Sequence, residues 1–325
     1  MAIINSSVVL PVEYYREVSK GIIGRSKALE LGYRLPDMIG KTRTIPVAEY
    51  LPKAYWVKNM TTPVGAADEI KNKPVTEMAW KGVNLVAEEI AAIVPVSENT
   101  LKDADNLVDI AADLTEQVIG AFQQVIDATI FFGENSPWSD FNGIVSAATT
   151  AGASVTWDGQ GGLSFYNAIN KAMEYVETSG YLPDAILGGP SLNSAFRGTI
   201  TNLGVTAGDQ GQIGALPRHI DLTGGFYTST AFAIVGDFKQ LVYAFRQEIE
   251  MKLLQEATIV DPATGSVLYH LAQQDMVAFR FTLRLGVAVP NPTNRVSGVD
   301  SGDLIKANAK AFPFAVIVKS AGGSH

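Results

Sequence analysis

Residues 82–96 read GVNLVAEEIAAIVPV and residues 107–133 read LVDIAADLTEQVIGAFQQVIDATIFFG, with Ser97 to Asn106 between them. The first run is apolar and strand-like. In the second, Leu107, Ala111, Leu114, Val118, Phe122, Val125 and Thr129 recur at three- and four-residue steps. That spacing marks one face of an α-helix. Asp109, Asp113, Glu116, Gln123 and Asp127 fall mostly off that face. Ser97 with Thr100 offers a cap for a short lead-in helix, and Asp105 or Asn106 for the main one. Gly133 sits where a helix commonly stops. From Asn106 to Phe132, at about 1.5 Å per residue, the helix makes a rod of roughly 40 Å. Gly120 costs it a little stability in the middle. A lone helix of this length needs an equally long partner.

The partner lies far along the chain, at Asp275 to Val289. Val277, Phe279, Phe281, Leu283, Leu285, Val287 and Val289 alternate with Ala278, Arg280, Thr282, Arg284 and Gly286. This is a period-two strand, and at about 3.3 Å per residue it spans roughly 50 Å. The pattern predicts one long helix laid along one long antiparallel strand, with most of the chain between them.

Composition narrows the function classes. The 325 residues allow one large or two modest domains. With 47% hydrophobic and 18% charged residues the chain has ample material for a core. There is no cysteine, so disulfides and thiolate metal sites are excluded, which suits a reducing compartment. A formal charge of −8 argues against tight phosphate binding as the main task. The N-terminal apolar run, Ile3 to Val12, is too short and too soon followed by Glu13, Arg16 and Glu17 to read as a signal peptide. No stretch reaches the roughly 18 apolar residues of a membrane span.

The remaining segments read as follows. Residues 1–10 form an arm, and Pro11 opens a helix toward Leu31; the arm either packs on its own domain or reaches a neighbour. Residues 40–82 hold two strand-like arms around a Pro- and Gly-containing middle, with Trp56 and Trp80 in polar surroundings. A free two-stranded ribbon is marginal in water, so it either folds back on its own domain or serves an interface. Residues 134–230 are rich in Gly, Ser, Thr and Asn. Ser164 is placed as the cap of a helix from Phe165 to Thr178, with Phe165, Ala168, Ile169, Ala172 and Val176 on one face and Gly180 as its stop. Ala185 to Gly188 reads as a buried strand, Ser191 caps a short helix through Phe196, and Thr201 to Leu222 is a long Gly-rich loop. The block has the look of an inserted α/β domain. Glu248 to Leu254 alternates like a strand, Asp261 to Gly265 is a turn, and Phe312 to Val318 is a last apolar strand.

Catalytic chemistry finds no support. His219, His270 and His325 show no metal-ligand spacing. There is no nucleophile elbow, no phosphate loop and no zinc-protease helix motif. Gly188-Gly-Pro-Ser lacks phosphate-loop spacing, and Pro190 removes an N–H donor. Asp103, Asp105 and Asp109 lack the rest of a calcium loop and read as a solvated helix start. Glu88 and Glu89 point to opposite faces of a strand. Arg280 and Arg284 share a polar face, and ion pairs with Glu248 or Glu250 within the subunit account for them. The reading assigns no catalytic residue, cofactor or metal.

The order of these parts resembles the major capsid protein of tailed bacteriophages, the Hong Kong 97 fold. Leu10-Pro-Val-Glu-Tyr resembles the start of the family's N-terminal arm. Ile45-Pro through Ala54-Tyr-Trp-Val resembles its extended loop. Leu85 to Ser97, then Leu101-Lys-Asp-Ala, resembles the strand before the spine helix, and Asp127 to Gly133 the end of that helix. Val235-Gly-Asp-Phe and Gln274 to Pro292 resemble the last strands. Each motif is loose, and their order and spacing carry the resemblance. No long coiled-coil segment opens the chain, so it looks like a mature form or one whose scaffold is a separate protein.

The resemblance implies an α+β fold with a long spine helix, a long antiparallel β-sheet, an extended two-stranded loop and an inserted axial α/β domain. Residues 1–39 would be an N-terminal arm and helix, 40–82 the extended loop and 83–133 the peripheral domain with its spine. Residues 134–230 would be the axial domain, and 231–325 the return to the peripheral strands and the C-terminus. The implied function is an icosahedral phage capsid subunit, assembling into pentamers and hexamers around double-stranded DNA. Its partners would be itself, a portal, scaffold or decoration proteins, and DNA bound without sequence preference; it would have no membrane. The implied location is the virion, with assembly in the host cytoplasm. Trp56, Lys58, Lys71, Lys73 and Trp80 are the candidate assembly residues. Some members join a loop lysine to a neighbour's asparagine; Asn291 or Asn294 would be the acceptor here. The competing readings are an encapsulin-type compartment around a cargo enzyme and a small-molecule enzyme using the Gly-rich 188–214 region.

Overall fold

The computed structural model describes residues 26–57, 71–99, 107–159, 163–198, 216–228 and 231–320, with backbone alone over 107–113. In chain order the first elements are helix α1 (Lys27–Leu31) and strands β1 (Tyr33–Arg34), β2 (Thr42–Pro52), β3 (Ala79–Val86) and β4 (Glu88–Ser97). The long helix α2 (Leu107–Asp127) runs into a π-turn at Ala128–Phe132. Then come α3 (Ile144–Ala151), β5 (Ser154–Trp157), α4 (Leu163–Thr178), β6 (Ala185–Gly188), α5 (Ser191–Gly198), β7 (Arg218–Ile220), α6 (Gly225–Thr228) and β8 (Ala231–Gly236). The chain closes with β9 (Val242–Leu254), β10 (Thr258–Val260), β11 (Val267–His270), β12 (Met276–Ala288), β13 (Val299–Ser301), β14 (Leu304–Lys306) and β15 (Phe314–Lys319). The N-terminal arm, Lys58, the carboxylates Asp103 and Asp105, the Gly208 loop and the last residues lie outside the described residues.

Two compact units form. One combines residues 1–43, 85–128 and 243–287; the other combines 44–84, 129–242 and 288–325. In the first, a four-stranded sheet has the order β1-β9-β12-β4. The long strand is as periodic as its sequence: Val277, Phe279, Phe281, Leu283, Leu285 and Val287 are buried. It runs antiparallel to β4, from Met276 opposite Ser97 to Leu285 opposite Glu88.

Helix α2 is rotated from the expected face. Thr115, Val118, Ile119, Phe122, Ile126 and, in the following turn, Thr129 and Ile130 are buried, whereas Val125 is 48% exposed and Leu114 only half-buried. The apolar positions 118, 119, 122, 125 and 126 fit two adjacent stripes, and burial selects the one through Ile126. Asp127, expected off the face, is fully buried. It accepts hydrogen bonds from the Ser26 hydroxyl (2.6 Å), Lys27 N–H (3.1 Å) and Ala28 N–H (3.0 Å). A carboxylate from a distant helix thus satisfies the free donors at the start of α1. Tyr243 adds a hydroxyl bond to the Leu29 carbonyl at 3.0 Å. Gly133 ends the helix as expected, at φ 73°, where a Cβ would lie 2.4 Å from the Asn142 carbonyl oxygen.

In the second unit a five-stranded sheet has the order β5-β15-β8-β6-β7. Strand β15 pairs parallel to β5 and antiparallel to β8. The boundary at residue 230 therefore does not hold: β8 and β15 belong to the sheet of the Gly-rich block, not to the strands around β12. Their side chains from Ala233 to Val235 and Phe314 to Ile317 are fully buried, as central strands covered on both faces require. Helix α4 buries Phe165, Ala168, Ile169, Ala172 and Val176, the expected face. Ser164 lies inside this helix, not at its cap, and its hydroxyl donates to Asp158 at 2.7 Å. Trp157, Phe165, Phe196 and Phe232 form a chain of tilted and edge-on rings in that core.

Candidate functional site

Of the candidate assembly residues, Trp80 lies on β3, while Trp56, Lys71 and Lys73 lie in the segments that leave β2 and lead into β3. Strands β2 and β3 form a four-stranded sheet in the order β13-β14-β2-β3. Leu304, Ile305 and Lys306 of β14 lie opposite Pro52, Leu51 and Tyr50 of β2. The hairpin β13–β14 is what sequence reading missed, although Gly302-Asp303 is a two-residue turn signal; Gly302 has φ 61°.

Polar contacts fasten the C-terminal end of β2 to this hairpin. Lys53 pairs with Asp300 at 2.8 Å and donates to the Gly302 carbonyl at 3.0 Å. Hydrogen bonding to Asp300 holds the Lys53 ammonium above its ordinary pKa. The Thr76 hydroxyl accepts from Lys53 N–H and donates to the Asp303 carbonyl, so the segment leading into β3 is held by the same turn. Arg295 donates to the Pro52 carbonyl at 2.9 Å, and Thr293 bonds the Ala48 and Glu49 carbonyls. Lys53 and Thr76, three and four residues from Trp56 and Trp80, are thus fastened to this hairpin, while the two indole rings are not covered. Trp56 is 85% exposed and Trp80 62%. Tyr55, Val57, Val75 and Met78 are exposed as well. Lys73 is exposed and Lys71 half-buried; Lys58 lies outside the described residues.

The charged residues of the long strands are paired differently from expectation. Arg284 bonds Glu89 through Nε at 2.8 Å and through its terminal nitrogen at 2.6 Å, rather than Glu248 or Glu250. The antiparallel register places Glu89 directly across from Arg284. Glu248 pairs with Arg34 at 3.3 Å, and Glu250 with Lys252 at 3.1 Å. Arg280 faces Ile93 in the register, and its buried Nε has no hydrogen-bond partner among the described residues.

Both asparagines after β12 are engaged. Asn291 accepts from the Tyr181 hydroxyl at 2.8 Å and donates to the Ala311 carbonyl at 2.9 Å. Burial pushes the Tyr181 phenol up to about 12, so it stays a neutral donor. Asn294 donates to the Ser179 carbonyl at 2.7 Å while its oxygen accepts from Val296 N–H and from Ser297. Among the described residues no group of His, Asp and Glu could hold a metal ion, and no helix is long and apolar enough to cross a membrane.

The model of the phage capsid family matches residues 6–187. The chain belongs to that family. It is a structural capsid subunit. Among solved structures, it is similar to a chain from Microbacterium phage Oxtober96, with 30% identity, TM-score 0.73 and 91% of each chain covered. A chain from Mycobacterium phage Cain is 26% identical with TM-score 0.76, over 92% of this subunit and 91% of that chain. The capsid of an empty GTA particle shares the fold at 14% identity, with TM-score 0.54 and 91% and 90% covered. No curated protein matches the chain. The mixed α+β architecture of the capsid subunit is that of these phage structures. Neither the encapsulin reading nor the enzyme reading is favoured by these matches.

Proposed function

We propose that the capsid subunit builds a closed icosahedral shell of pentamers and hexamers around double-stranded DNA. In this reading α2 is the spine helix. The β2–β3 arms with residues 53–78 are the extended loop, and the unit built on the five-stranded sheet is the axial domain. Trp56, Lys58, Lys71, Lys73 and Trp80 lie against neighbouring copies. A portal and scaffold or decoration proteins complete the particle, which assembles in the host cytoplasm. The net charge of −8 suits a container whose lining does not grip packaged DNA.

The observation that carries the proposal is a mismatch between order and exposure. Lys53 and Thr76 are tied down by several hydrogen bonds, yet Trp56, Val75, Met78 and Trp80 stand in water. A rigid platform presenting apolar and aromatic side chains is the form of an interface awaiting its partner. Electron microscopy and sedimentation of the purified subunit should show closed shells. Trp80→Ala should melt like the parent, since its ring is exposed, but assemble poorly. A parent that stays monomeric at all salt and protein concentrations would overturn the shell reading. A Trp80→Ala variant forming normal shells would remove Trp80 from the interface.

A further inference from the structure

We propose that the cleft between Lys41, Arg246 and Arg284 receives an acidic side chain from a second copy of the chain. Four separated segments build it. Lys41 precedes β2, and its carbonyl accepts from Ala87 N–H at 2.8 Å. Ala87 precedes β4, Glu88 and Glu89 begin it, and Arg246 lies on β9 and Arg284 on β12; together with Lys41 these line a cleft of about 210 Å³. That is smaller than the roughly 300–1,000 Å³ typical of small-molecule sites and of the scale of one or two side chains.

The charges within it do not balance. Lys41 pairs with Glu88 at 3.0 Å, and Arg284 with Glu89 at 2.6 Å. Arg246 has no carboxylate partner among the described residues; it reaches only the Met38 carbonyl, at 3.5 Å. Three cations face two carboxylates, which leaves one guanidinium in excess. Arginine offers a planar fork of donors that a carboxylate fits with two parallel bonds.

The assignment of the occupant rests on the shell reading. Each copy carries a net charge of −8, so copies repel at long range and must meet at local sites of opposite sign. A cleft with an excess guanidinium, sized for a side chain, on a chain with surplus carboxylates is such a site. The pairs Lys41–Glu88 and Arg284–Glu89 line its walls as neutralised pairs, so the unpaired guanidinium of Arg246 is the position for a further carboxylate.

The test uses the full chain and two variants, Arg246→Met and Arg246→Glu. Sedimentation velocity would give the protein concentration for half-assembly at low and high salt, and melting of unassembled subunit would report folding. We expect both variants to melt like the parent, because Arg246 is exposed. Arg246→Glu should raise the half-assembly concentration about tenfold or more at low salt, with Arg246→Met between. A reconstruction of the parent shell should place a neighbour's carboxylate oxygen within about 4 Å of the Arg246 guanidinium. Unchanged assembly of Arg246→Glu, or a shell in which Arg246 faces solvent, would overturn the proposal while the shell reading stands. A phosphate ion in place of the carboxylate, with phosphate-dependent melting lost in Arg246→Met, would also overturn it. A parent that never assembles would instead defeat the shell reading itself.

Discussion

Removing the Asp127 carboxylate tests the tertiary cap that joins α2 to α1. Asp127 is fully buried and accepts from one hydroxyl and two backbone N–H groups. Asp127→Ala leaves those two N–H groups without their acceptor, and each unsatisfied buried donor costs about 1–3 kcal/mol. Part of that loss is recovered. Ser26 can turn its hydroxyl, which already accepts from Leu29 N–H at 3.3 Å, and water can reach the end of a five-residue helix. Two donors would cost about 2–6 kcal/mol without that recovery, so the expected net loss is about 1–4 kcal/mol. Asp127→Asn keeps one acceptor but turns an amide N–H₂ toward a backbone donor, and should lose roughly half as much.

The assay is thermal unfolding of unassembled subunit at fixed protein concentration, because assembly would shift the midpoint by mass action. At about 2–4 °C per kcal/mol for domains of this size, Asp127→Ala should melt roughly 2–16 °C below the parent. A double-mutant cycle with Ser26→Ala isolates the pair. The two residues touch, so the losses should fall short of additivity by about 1 kcal/mol. A midpoint for Asp127→Ala within experimental error of the parent would refute the reasoning, as would strict additivity with Ser26→Ala.

Three further outcomes follow from the same geometry. Phe122→Ala should cost about 3–5 kcal/mol as a buried large-to-small change, whereas Val125→Ala should stay within roughly 0.5 kcal/mol; equal melting shifts would mean that the buried face of α2 is misassigned. Burial is the chief cause raising the pKa of Asp184, with Asp237 adding to it and Phe238 N–H and Lys239 opposing it. Its protonated form favours folding, a contribution present below the ordinary aspartate value of about 3.9 and lost as pH rises through the raised one. Asp184→Asn keeps the acceptor for Phe238 N–H at 2.9 Å, so it should melt above the parent at neutral pH and converge with it in acid; a constant offset at all pH would sink this. Because Asn291 and Asn294 are held by the hydrogen bonds described, boiled denaturing gels of assembled particles should show only monomer, and a ladder of covalent oligomers would contradict it.

What the sequence made legible tracks the number of independent signals at each place. Strand β12 alternates over its whole length, and only one face can be apolar. Helix α4 has a single apolar stripe between Ser164 and Gly180, so its buried face was readable even though its cap was misplaced. Helix α2 was ambiguous because Val125 and Ile126 are adjacent and equally apolar. Which of them turns inward depends on what α2 packs against, a tertiary fact. Asp127 was opaque for the same reason: a carboxylate on a helix reads as solvated until a donor set from residues 26–28, about a hundred positions earlier, is brought to it.

The ion pairs show a further limit. Arg284 could be assigned to a polar face from its spacing, but a central strand has two neighbours, and which one supplies the acid depends on register. A shift of one residue between β12 and β4 would carry Glu89 to the opposite face and set Glu88 against Arg284 instead. Periodicity therefore predicts that Arg284 needs a partner without naming it. The same holds for Trp56 and Trp80. Their type says that they are best buried; their exposure beside a fastened hairpin says that burial is left to another molecule. Only the structure, by showing the backbone held while the rings stay uncovered, turns an apolar residue in a polar stretch into an argument about assembly.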